Sequence, residues 1–182
     1  GSVTAGDITA GDVTTTAQDN LNAGNVNASG SVQQTSNTGS VTTGSVEADG
    51  SVTQTAQGSV NTGSVTAGND VSQTANTGTV TTDDITATNG TVEITTSNQN
   101  INVGDVSSGA GQTIDTGGGS VSTGALTAGA DATINSGGGS ITTGDFSATD
   151  ATVDSSGGTV SLDNVSADDF SIDGGGGTVS FE

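Results

Sequence analysis

A short phrase returns along the whole chain. GSVTAGDIT opens it and comes back as GSVTTGSVE at Gly39, GSVNTGSVT at Gly58 and GTVTTDDIT at Gly78. It returns again as GSVSTGALT at Gly119 and GSITTGDFS at Gly139, with looser copies near Asn20, Asn100 and Gly158 and a partial one from Gly177. The first aliphatic residues are Val3, Leu21, Val41, Val60, Val80, Ile101, Val121, Ile141, Val160 and Val179, at intervals of 18 to 21 residues. A period this regular marks a supersecondary unit that buries its apolar side only by stacking on copies of itself.

Each unit holds three β-like stretches. The second carries Ile8, Val26, Val46, Val65, Ile85, Val106, Leu126, Phe146 and Val165. The third is aligned on Val13, Val32, Val52, Val71, Val92, Ile114, Ile134, Val153 and Ile172. Polar residues flank each aliphatic one, as in Ser40-Val41-Thr42, which is the period-two alternation of a half-buried strand. Alanines such as Ala28, Ala48 and Ala67 follow two positions on, and Gly, Asn and Asp fill the intervals as turn residues.

A unit of this length is too short for a propeller blade of about 40–45 residues. The pattern predicts an all-β fold, a right-handed parallel β-helix (β-solenoid) with three faces and about nine coils of 19–20 residues. It is read as a single domain over 1–182 that ends in a partial tenth coil, 177–182. At about 4.8 Å per coil the rod is roughly 43 Å long. Thr43, Thr62, Thr82, Thr123 and Thr143 are expected to stack inside, bonded to one another or to backbone. The interval from Thr88 to Gln99 is expected to bulge or protrude. Glycine clusters at Gly117, Gly137 and Gly174 suggest a change of corner geometry.

Composition narrows the chemistry. The 182 residues include 20 Asp and Glu but no Lys, Arg or His, for a net charge of -20. Low hydrophobicity with high charge is a signature of disorder, yet the apolar residues here are mainly Val and Ile at regular spacing. With no Cys or His there is no disulfide, Cys/His metal cage or Ser-His-Asp triad. Without cations to meet phosphate, nucleic-acid binding is not expected. No apolar run approaches the roughly 20 residues of a membrane helix. The chain is read as a non-enzyme. Hydrolysis by a carboxylate pair is the residual catalytic option, without the aromatic or cationic sugar platforms such sites use.

The phrase G-[ST]-V-[ST]-[ST]-G-x-[VIL]-[ST]-A resembles the haemagglutination repeats of filamentous-haemagglutinin-like adhesins, and the likeness runs over essentially the whole chain. That resemblance implies a secreted, cell-surface right-handed β-helix. Two features depart from it: the chain is short, and no counterpart of the amino-terminal secretion domain is seen.

Open strand edges invite association. The reading is a structural protein, the subunit of an extracellular filament in which copies stack head to tail, with the partial last coil complementing the first coil of the next. The interface residues are Val3, Ile8 and Val13 at one end and Val165, Ile172, Val179 and Phe181 at the other. One alternative is a rod or stalk fragment of a secreted surface adhesin. Another is an ice-binding solenoid using outward pairs such as Ser40/Thr42 and Thr79/Thr81, although Asn61, Asn100 and Asn102 interrupt that file. No cofactor is expected apart from calcium at Asp115, Asp154 and Asp173, which recur beyond the third stretch. Sequons at Asn27, Asn89 and Asn164 offer sites for glycans.

Overall fold

The computed structural model describes residues 1–181. Three parallel sheets run the length of the rod. Face 1 has ten strands, from Val3–Thr4 to Val179–Phe181, while faces 2 and 3 have nine each. Face 2 runs from Ile8–Ala10 to Val165–Ser166 and face 3 from Val13–Ala17 to Asp169–Asp173. Every interior strand pairs with the strand of the same face in the coils before and after it, the end strands pair on one side, and no helix occurs among the described residues. The fold is thus a parallel β-solenoid with three faces and about nine coils.

Alternation explains the cross-section. On face 1 Val41 pairs with Val60 and Val60 with Val80, and all three are buried. The β-branched side chains stack one above another about every 4.8 Å along the axis. Loss of contact with water along this lumen, together with the backbone ladder, holds coil to coil.

Face 3 departs from the sequence alignment in its second half. Val13, Val32, Val52, Val71 and Val92 do form one file, but the residue over Val92 is Gln112, followed by Ala132, Ala151 and Phe170. Ile114, Ile134, Val153 and Ile172 continue a different inward file, which begins Thr15, Gln34, Gln54, Gln73, Ile94. A two-residue slip leaves every side chain on its proper face, so the apolar pattern alone does not distinguish the two registers.

That second file divides the lumen. Gln34, Gln54 and Gln73 are fully buried; Gln54 Nε2 donates to Gln34 Oε1 and Gln73 Nε2 to Gln54 Oε1, both at 2.7 Å, while Gln34 Nε2, at the start of the seam, has no partner among the described residues. Thr43, Thr62 and Thr82 donate to the same three carboxamide oxygens at 2.9–3.0 Å. The expected threonine stack is therefore a glutamine–threonine seam in these coils. One coil later Ile94 and Val103 replace both partners at once, and the core turns apolar. Thr123 and Thr143 then donate locally, to the carbonyls of Gly124 and Gly144. Volume is balanced within a coil: Leu126 and Phe146 on face 2 accompany Ala132 and Ala151 on face 3, all buried.

The expected loop at Thr88–Gln99 is not there. Val92–Thr96 is a face 3 strand paired in register on both sides, with Ile94 buried and Glu93 exposed. The additional length is absorbed at the corner Thr88–Thr91, where Asn89 Nδ2 donates to the Gly68 carbonyl at 2.9 Å and Thr91 N to Asp70 Oδ1 at 2.9 Å.

The glycine clusters do change the corner between faces 3 and 1. Gly117, Gly137, Ser156 and Gly175 occupy one position of successive coils with φ of 65°, 60°, 50° and 52°. Glycine enters the left-handed region without steric penalty, which explains its hold on three of these four places.

Candidate functional site

The chemistry of this rod lies in its two rims and its outer faces. At the amino-terminal rim Val3 and Ile8 are half-buried and Val13 is buried, so the first coil leaves its inward files partly open. Ala10, an inward position elsewhere, is exposed. At the carboxy-terminal rim Val165 and Ile172 are half-buried, while Phe170, Val179 and Phe181 are the exposed large apolar residues, at 37%, 37% and 56%. Phe170 and Phe181 both stand at inward positions, and their rings meet edge to face with centroids 6.1 Å apart. Phe170 escaped the expected interface because the face 3 alignment was two residues out of register. Correct register was the signal that would have found it.

Both rims carry strand edges on all three faces. Face 1 extends one strand beyond faces 2 and 3, which leaves a one-strand step at the carboxy-terminal end. Each edge strand presents the N–H and C=O groups that pair in every interior coil.

The corners are held by side chains that reach to the next coil. Asn20 Oδ1 accepts from Ser40 N at 3.0 Å, Ser40 Oγ from Ser59 N at 3.0 Å and Ser59 Oγ from Thr79 N at 3.2 Å. Asp84 Oδ1 accepts from Asp105 N at 2.9 Å, and Asp105 Oδ1 from Ala125 N at 2.8 Å, on the corner between faces 1 and 2.

Asp115, Asp154 and Asp173 fall in one file with Asn135 between them, as their spacing suggested. Each closes its own turn. Gly117 N donates to Asp115 Oδ1 at 2.9 Å, Gly137 N to Asn135 Oδ1 at 2.9 Å, Ser156 N to Asp154 Oδ1 at 2.8 Å and Gly175 N to Asp173 Oδ1 at 2.7 Å. These are Asx turns, a use Asn serves as well as Asp. No group of three or more Asp or Glu is placed to hold a metal ion among the described residues. The file therefore has a turn-forming role.

The three sequon asparagines are exposed, and each amide bonds to the coil before or after: Asn27 Nδ2 to Glu47 Oε2, Asn89 Nδ2 to Gly68 O and Asn164 Nδ2 to Asp145 Oδ1.

The outer faces differ in charge. The outward positions of face 1 are Ser, Thr or Asn in every strand, from Ser2 and Thr4 to Thr178 and Ser180, with no Asp or Glu among them. Face 2 carries Glu47, face 3 carries Glu93 and Asp115, and the corners beside face 2 carry Asp49, Asp70, Asp83 and Asp131 among others. No protein-family model, curated protein or solved structure matches the chain.

Proposed function

We propose that this chain is a structural protein, the subunit of an extracellular filament built by end-to-end stacking of β-solenoids. One observation carries the reading: the contact that joins coil to coil, a parallel in-register ladder over an apolar lumen, is presented on all three faces at each rim. A second copy meets there the groups that an interior coil meets. A head-to-tail contact of this kind does not close on itself, so it propagates. Apolar side chains support it at both ends, Val3 and Ile8 against the rim that bears Val165, Phe170, Val179 and Phe181. The partner is the chain itself. The location outside the cell follows from the likeness to haemagglutination repeats.

Charge opposes assembly. Asp7 and Asp12 belong to the first coil and Asp168, Asp169 and Asp173 to the last, so both rims are acidic. Such repulsion is screened beyond about 8 Å at physiological ionic strength. Electron microscopy of the 182-residue chain tests the proposal. Particles should lengthen with concentration and with salt. Rods of about 43 Å at every concentration and salt level would refute it.

A further inference from the structure

We infer that face 1 is a lateral docking surface, and that its partner is face 1 of a second copy. The observation is the segregation of charge. The chain carries 20 carboxylates with no Lys, Arg or His, yet face 1 shows none at the two outward positions of each of its ten strands. The carboxylates stand at its borders instead: Asp7, Asp83, Asp84, Asp105, Asp145 and Asp163 on the corner toward face 2, and Asp19 with the strand-end Asp115, Asp154 and Asp173 on the corner toward face 3. Two rods of this charge repel wherever carboxylates face each other, and a like charge directly opposite is destabilising. Face-1-to-face-1 contact is the approach that avoids this.

The second outward file of face 1 runs Thr4, Asn22, Thr42, Asn61, Thr81, Asn102 and then Ser or Thr. Only Ser180 of this file donates within the protein, to the Val160 carbonyl at 3.4 Å. Its neighbour file is occupied, since Asn20, Ser40, Ser59, Asn100 and Ser120 accept backbone N–H groups at the corner. Over its first six rungs the free file alternates a hydroxyl with a carboxamide. A carboxamide both donates and accepts, so such a file is complementary to itself. The alternation doubles the chemical repeat to about 9.6 Å, whereas a lattice plane such as ice favours one group on every rung. A second copy fits better.

The face is about 43 Å long and, with its corners, about 15 Å wide, so a pair of rods buries on the order of 1,300 Å², near the lower bound for a stable complex. A single pair is therefore weak, and a row of rods joined end to end multiplies it. The inference does not depend on end stacking.

The test places charge on face 1 without changing size. The triple variant N22D/N61D/N102D adds three carboxylates to face 1, and N27D/Q33E/N69D adds one each to face 2, face 3 and the corner between them as a control of equal net charge. Small-angle scattering separates the geometries, because side-by-side pairing enlarges the cross-section and end stacking enlarges the length. The unmodified chain should thicken with concentration. The face 1 triple should weaken that pairing at least tenfold in low salt, and the control by less than threefold. A chain that never thickens overturns the inference, as does equal weakening by both triples. Thermal hysteresis abolished by the face 1 triple, in a chain that stays single, would also overturn it and assign the face to ice.

Discussion

The first four coils and the last five reach one cross-section by different means. In the early coils the lumen carries a polar seam, in which Gln34, Gln54 and Gln73 bond along the axis and to Thr43, Thr62 and Thr82. Their corners toward face 1 use Asn, Gln and Thr, with Ala17, Ala56 and Ala75 buried at the strand ends. In the later coils Ile114, Ile134 and Val153 fill the same file. The strand ends there are hydroxyls that close the corner: Thr116 Oγ1 donates to Gly119 O at 2.7 Å, Ser136 Oγ to Gly139 O at 2.6 Å and Ser155 Oγ to Gly158 O at 2.9 Å. Both halves tie their corners, the early coils through side chains such as Thr38, Ser40 and Thr77 that bond to a neighbouring coil, the later ones through hydroxyls that also close the turn of their own coil. The lesson concerns register. A two-residue slip costs an aliphatic ladder little, but it would set Gln34 or Gln54 beside valine without partners. The seam fixes register from within, and the Asx and hydroxyl turns fix it at the corner.

Gln54→Ala should break this contrast most severely. It leaves a cavity and strips Gln73 Nε2 and Thr62 Oγ1 of their acceptor. Chemical denaturation should show a loss of about 4 kcal/mol. Copying the Ile94–Val103 pair into all three seam coils, with Ile for the glutamines and Val for the threonines, removes both partners at once and should leave the melting point unchanged or higher. Loss of unique strand register in its NMR spectra would show that the seam buys specificity instead of stability.

The glycine corners offer the next comparison. A Cβ at Gly139 would run into the carbonyl of Gly119 below, a backbone group with no room to move. At Gly118 the nearest atom is Asn98 Oδ1 at 2.8 Å, the end of a side chain that turns aside. Gly139→Ala should therefore cost about 2–3 kcal/mol and Gly118→Ala less than about 1, read from thermal melts of the two variants. The smallest effect belongs to Ser156, which holds φ of 50° where the neighbouring coils place glycine. Ser156→Gly should stabilise by a few tenths of a kcal/mol, and a clear loss would show that the Ser156 hydroxyl's bond to Asp154 outweighs the backbone penalty.

Much of this was legible in the sequence. Recurring valines marked the coils, and alternation assigned inward and outward residues on faces 1 and 2. The Gly117 and Gly137 clusters marked a new corner. Face 3 was harder, because Gln112 and Ala132 stand where earlier coils have valine while Ile114 sits two residues on, and the apolar pattern favours the wrong pairing. Val92-Glu93-Ile94 looked like an insertion for the related reason that Ile94 takes a glutamine position. The seam was hidden because a buried glutamine is recognised only when its partners in adjacent coils are known. The calcium candidates were placed in their file correctly, but spacing does not reveal that one oxygen of each accepts from the N–H group two residues ahead.

The central claim is that one ladder continues from coil to coil and from chain to chain. Diffraction from oriented material measures it directly. The account predicts a meridional reflection near 4.8 Å, sharper than a single rod of about 43 Å allows, because coherence extends across chain boundaries. A reflection whose breadth corresponds to nine coils and does not narrow as the material orients would contradict it.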